Sequence, residues 1–223
     1  MINRAYALFF RAASGIVLPM NIGKPYADVI TGARGELLAI LVRLARPATI
    51  RELGRLADIS SGHAWVVVDQ LARAGLVRKT IAGRATMVVF NPDHLAADGV
   101  KSLMSMRGEL VDRLSTEVGG WIGVAAAWLY GSTARGDGDA SSDIDLLVVG
   151  STDMESELWT AQVGLLRTKV EAWTGNVVQL SEYTVDSFRQ LVVERNPLVA
   201  AIRQDGIELT EGAKRLLLVS PDQ

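Results

Sequence analysis

Residues 121–149 read WIGVAAAWLYGSTARGDGDASSDIDLLVV, and this stretch decides the fold. Trp121 to Ser132 is a nearly continuous apolar run closing on Gly131–Ser132. That is the pattern of a strand covered on both faces, with a tight turn after it. A polar, glycine-rich stretch follows, and then Asp143-Ile144-Asp145 leads a second apolar run to Val149. Side chains two apart on a strand point the same way, so Asp143 and Asp145 are expected to converge. Adjacent carboxylates repel unless a cation lies between them. A divalent metal is the economical answer, and Mg²⁺ (or Mn²⁺) carrying a phosphate suits hard oxygen ligands. At Gly131 the missing side chain lets a phosphate approach the backbone, and the Ser132 hydroxyl with nearby N–H groups can cradle it.

Composition narrows the alternatives. The chain has 223 residues, 49% hydrophobic and 22% charged, which excludes a wholly disordered chain, a collagen-like repeat and a coiled coil. There is no cysteine, so neither a disulfide framework nor a thiolate zinc site exists. With His63 and His94 as the two imidazoles, a histidine zinc centre is nearly excluded as well. Arg11 interrupts the run AYALFF too early for a signal-peptide core, and Trp121–Tyr130 is too short for a membrane span. The expectation is a cytoplasmic protein with no membrane partner. Charge is unevenly placed: residues 34–93 hold nine Lys/Arg against five Asp/Glu, whereas 121–223 hold eight against fifteen. A basic module followed by an acidic one suggests two domains with different partners.

In the basic half, Leu37, Leu38, Leu41 and Leu44 recur at helical spacing over 34–46, and Pro47 stops that helix. Thr49 with Glu52 has the capping-box spacing ahead of IRELGRLA. A third helix from Ser60 or Ser61 to Ala74 turns Ala64, Val68 and Leu71 inward and ends at Gly75. LVRKTI and ATMVVF, separated by Ala82–Gly83–Arg84, read as a hairpin. Three helices and a two-stranded wing over 34–91 resemble the winged helix-turn-helix family of DNA-binding domains. That resemblance puts Ser61, His63, Val66 and Gln70 against bases of duplex DNA. It gives Arg51, Arg55, Arg78, Lys79 and Arg84 the phosphates. The third helix has no basic residue before Arg73, and its outer face includes Val66 and Trp65, so a protein-interaction module stays open beside DNA binding. Residues 1–33 are not assigned; they could pack on the winged helix or make a homodimer contact. Residues 96–120 carry Leu103, Met106, Leu110 and Leu114 at helical spacing and read as one connecting helix.

The acidic half, 121–223, resembles the nucleotidyltransferase superfamily, particularly its small bacterial members. Gly131–Ser132 and the Asp-x-Asp strand about ten residues on carry the likeness, with Arg135, Gly136 and Ser142 at positions where that family has the same residue types. The resemblance implies that Asp143 and Asp145 hold the metal, that Gly131 and Ser132 seat phosphates of an NTP, and that Arg135 and Ser142 assist. A helix over 155–173, a strand over 176–183, helices from Thr184 and from Asn196–Pro197, and a short strand at 206–209 complete an α/β (α+β) protein with a mixed sheet. Active members of the family supply a third carboxylate from the strand after the long helix, as general base. Here that strand is NVVQLSEY, and Gln179 stands at the position. A glutamine amide cannot take up a proton. Glu182, three residues on, faces the other side of a straight strand and serves only if a bulge redirects it. Three readings follow: a working transferase acting on a protein, RNA or small-molecule hydroxyl; a nucleotide-sensing regulator without turnover; and a scaffold binding neither ligand.

Overall fold

The computed structural model describes residues 18–150 and 154–218. The chain divides into two units: Lys24–Leu110, and the residues on either side of it up to Gly23 and from Val111. The basic module is thus nested in sequence within the acidic one.

The nested unit has the architecture of a winged helix. Helix α1 (Gly32–Leu44) stops ahead of Pro47, with Ala45 in the left-handed region at φ 49°. Strand β1 (Ala48–Thr49) leads into α2 (Ile50–Leu56), where the Thr49 hydroxyl accepts from Glu52 N–H at 3.1 Å. Helix α3 (Ser61–Arg73) is capped by Ser60, whose hydroxyl accepts from His63 N–H at 3.2 Å. Strands β2 (Val77–Ala82) and β3 (Ala85–Phe90) form the wing, and β1 pairs on the far edge of β3. Leu41, Leu53, Val68, Leu71 and Val88 fill the core and are fully buried. Fully burying a residue of this size stabilises by about 1.5–3 kcal/mol.

The connecting helix expected over 96–120 is two helices, α4 (Ala97–Met104) and α5 (Met106–Gly119). Ser105 makes the break. Its N–H reaches both Lys101 and Ser102 carbonyls, and its hydroxyl donates to Ser102 O at 3.1 Å. Such local bonds compete with helix continuation. Residues 1–33 divide as well: 18–23 belong with the acidic unit and 24–33 with the winged helix, while the expectation for residues 1–17 lies outside the described residues.

The second unit is a four-stranded mixed sheet in the order β6-β5-β4-β7, formed by β4 (Val124–Tyr130), β5 (Ile144–Gly150), β6 (Val178–Thr184) and β7 (Ile207–Glu208). Strands β4 and β5 run antiparallel, β5 and β6 parallel. The crossover between the parallel pair is α7 (Glu157–Thr174), started by a Ser156 cap and ended by Gly175 at φ 72°. Helices α8 (Val185–Val193) and α9 (Pro197–Asp205) cover the opposite face, where Trp128 stacks on Phe188 with ring centroids 5.3 Å apart. Among the described residues no helix is long and apolar enough to cross a membrane.

Candidate nucleotide site

The site forms where β4 turns into β5. Helix α6 (Gly131–Arg135) follows β4 without a spacer, because Gly131 takes φ 70° and folds the chain back. The same glycine admits a carboxylate. A Cβ there would collide with Asp145 Oδ2 and lie 3.0 Å from its Cγ. Asp145 occupies the second position of β5, paired with Tyr130 on β4 and Gln179 on β6. Asp143 precedes the strand on the same side of the pleat, and its backbone carbonyl accepts from the buried Thr133 hydroxyl at 3.3 Å. Burial, and then the neighbouring Asp143 charge, push the Asp145 carboxyl above the usual carboxylate range, while Arg135 pulls the other way.

Gln179 points to the same place. Its Nε2 donates to Asp143 Oδ2 at 3.3 Å, so the residue level with Asp145 on the next strand contributes an amide to the cluster. Glu182 does not join. It lies three positions beyond Gln179, and an odd offset along a straight strand turns it to the other face of the sheet. There its Oε2 accepts from Trp159 Nε1 on α7 at 2.6 Å. No bulge interrupts the pairing of β6 with β5. Glu182 is therefore corrected from candidate base to partner of a buried tryptophan.

The other residues singled out in the sequence are distributed around the loop between α6 and β5. Arg135 Nε donates to Asp137 at 3.0 Å and its Nη1 stands 3.8 Å from Asp205 on α9; Asp137 raises the guanidinium above its ordinary value. Ser132 O accepts from Gly136 and Asp137 N–H, and its Oγ faces Gly138. The Ser142 hydroxyl accepts from Asp139 N–H at 2.9 Å and so shapes the loop. Asp139 is held below the usual range by the Ser141 hydroxyl and N–H. Sequence reasoning missed two features. The Tyr130 and Ser181 hydroxyls, 3.3 Å apart, bridge β4 and β6 across β5 beside Asp145. Asn176, buried at the foot of β6, binds the backbone next to Asp143. Neither follows a strand or helix period.

Two carboxylates fit Mg²⁺, which is usually held by one or two such groups together with substrate phosphates and water. Among the described residues no group of three or more His, Cys, Asp or Glu gathers to hold a metal.

Residues 107–202 match a family model described as a nucleotidyltransferase domain. The acidic unit is a nucleotidyltransferase domain. Its matched stretch begins within α5 and ends within α9. No curated protein matches the chain. Among solved structures, MepR, a transcription regulator of the Staphylococcus aureus multidrug efflux pump MepA, is 14% identical over 52% of this chain and 85% of its own, with a TM-score of 0.36. A MarR family transcriptional regulator from Silicibacter pomeroyi is 18% identical over 75% and 95%, with a TM-score of 0.34. Likeness at this level carries no argument, and the winged helix stands on its helix order and hairpin.

Of the residues expected to meet DNA, Arg51, Arg55 and Ser61 line one open pocket where α2 meets the start of α3. His63, Val66 and Gln70 are exposed along α3 beside Trp65, and Arg84 is exposed at the hairpin turn. Arg78 is paired with Asp93, and Lys79 with Asp69 at 2.8 Å, where Asp69 also holds Arg73.

Proposed function

We propose that the nucleotidyltransferase domain binds an NTP with Mg²⁺ (or Mn²⁺) at Asp143 and Asp145, transfers its nucleotidyl group to an acceptor hydroxyl, and is joined in one cytoplasmic chain to a DNA-binding winged helix. The observation that carries this is the pair of like charges at Gly131, half-buried and held beside the Gln179 amide. Mg²⁺, when bound, supplies the positive charge that the triphosphate and the pair both lack. Asp143 and Asp145 orient it. In this reading Gly131 and the Ser132 hydroxyl seat the β/γ-phosphates, Gly131 by leaving room for the Asp145 carboxylate at the turn, and Arg135, swung from Asp137, neutralises charge there. The acceptor oxygen attacks the α-phosphorus, its bond to the bridging β-oxygen breaks, and pyrophosphate leaves.

The acceptor's proton passes to solvent or to the substrate, because the amide of Gln179 stands where a base is expected and Glu182 is engaged elsewhere. Transfer of this type depends mainly on positioning and charge stabilisation, so it is slowed rather than forbidden. The Gln179 contact favours a second reading, a nucleotide-sensing regulator in which binding is the output. Calorimetry with Mg²⁺ and NTP, together with label transfer from α-labelled NTP, separates the two. Binding with transfer supports the enzyme, and binding without transfer supports the sensor. No Mg²⁺-dependent binding overturns both.

A further inference from the structure

The described residues before Lys24 are stitched to the back of the site loop. Met20 N–H donates to Thr174 O at 2.8 Å and to Asn176 Oδ1 at 3.0 Å, and Asn176 Nδ2 returns a bond to Met20 O at 3.2 Å. The same Nδ2 donates to Ser142 O at 3.0 Å, one residue before Asp143. Asn176 is 1% exposed, and both its amide protons and its oxygen are used. Further along, Gly23 N–H donates to Gly138 O at 2.8 Å, and the intervening Ile22 is fully buried. Two glycines permit this closeness. A Cβ on Gly23 would lie 2.5 Å from Gly138 O and 2.9 Å from Gly136 O, and one on Gly175 would lie 2.5 Å from Leu18 O.

Asp143 needs such support. It lies outside β5, so the strand ladder does not fix it, and the first bond on that side is Ile144 N–H to Val177 O at 2.9 Å. Its neighbour Asp145 repels it. Beside the Gln179 amide on its carboxylate and the Thr133 hydroxyl on its carbonyl, the Asn176 amide on Ser142 O braces the backbone next to the two repelling carboxylates.

We propose that Leu18–Gly23 is a strap fixing the Gly136–Ser142 loop, and that Asn176 is a positioning residue through which the strap sets Asp143 against Asp145. It rests on the reading of that pair as the metal–phosphate site. The test uses the full chain with Asn176→Asp, which keeps the size but removes both donors, and with Gly23→Ala, which forces the strap off the loop. Val163→Ala, a core truncation in α7, controls for lost stability. Two quantities are read: hydrogen exchange of peptides covering 136–145, and affinity for Mn²⁺ alone by electron paramagnetic resonance. Exchange rises in both test variants and Mn²⁺ binding weakens by about 10–100-fold, the cost of losing an outer-shell support; the control changes neither per folded molecule. Should Asn176→Asp fail to fold, Gly23→Ala carries the test alone. Wild-type exchange in the folded variants overturns the strap, and raised exchange with wild-type Mn²⁺ affinity overturns the positioning role. If the wild type takes up no Mn²⁺, the metal reading fails and exchange alone judges the strap.

Discussion

The two units handle charge in opposite ways. The winged helix is basic in composition, yet much of that charge is spent within its own surface. Arg78 is taken by Asp93, Lys79 and Arg73 share Asp69, and Arg46 pairs with Glu52 at 2.7 Å. In the nucleotidyltransferase domain like charges are instead held together. Asp143 and Asp145 face an amide, and the nearest guanidinium, Arg135, is bonded to Asp137. A neutralised surface is at rest, whereas a repelling pair is relieved by taking up a proton or a cation. The difference makes the acidic unit the one whose stability a bound cation is expected to raise.

The largest expected effect comes from ending the repulsion. Asp145→Asn should abolish Mg²⁺-dependent NTP binding in calorimetry while raising the stability of the ligand-free protein. The sign follows from the raised carboxyl. The folded state holds that proton more tightly than the unfolded chain, so stability is lost as pH rises through the folded pKa. Thermal melts of wild type across that range should show the loss, and those of Asp145→Asn should not. Undiminished NTP binding by the variant breaks the comparison at its acidic end.

Next is Gln179→Asp. It replaces an amide donor with a third anion, so divalent-metal affinity should rise, and label transfer should speed up by about 10²–10⁴-fold if general-base assistance is restored. A variant unchanged in both respects would mean that Gln179 stands beside the site without limiting it.

The basic end is sharpened by Asp69→Ala. Freeing Lys79 and Arg73 should tighten duplex DNA binding by the full chain and steepen its salt dependence, each added phosphate contact contributing a slope of about 0.9. Exposed ion pairs contribute little because solvent screens them, so the gain is several-fold, not orders of magnitude. Anisotropy titrations at two salt concentrations read it. Indifference to Asp69→Ala, with no DNA binding by wild type at low salt, would leave α3 and its exposed Trp65 as a protein-docking face.

The smallest effect is Glu182→Gln. Transfer and metal binding should not move, and chemical denaturation should show a loss of about 1 kcal/mol from the weakened bond to Trp159.

What the sequence made legible was periodic. Helix starts at Thr49, Thr184 and Asn196 were readable because the capping side chain is local to the helix it caps. Strands β4 and β5 were readable from their apolar runs, and the family resemblance singled out Gln179, which the register of β6 on β5 brings level with Asp145. The rest depended on contacts between distant residues. Nothing near Ser105 in the sequence outweighs the apolar spacing that suggests one helix. Asp69 looks like an ordinary exposed acid until β2 carries Lys79 to it. Asn176 reads as a loop residue after a helix-ending glycine, and its partners Met20 and Ser142 are 156 and 34 residues away.

That last separation orders events during synthesis. The ladder contacts of the wing all lie within residues 48–90, so the nested unit has its partners early. The Met20 segment must wait until Asn176 has emerged and the sheet exists to receive it. Such long-range closure forms late because its entropy is lost before its contacts can repay it. Segments that dock last with few bonds also tend to open first in the native state. The latest contact in the birth of the molecule is then the one beside the Asp143–Asp145 pair, and a nascent chain can complete its winged helix before those two carboxylates are set.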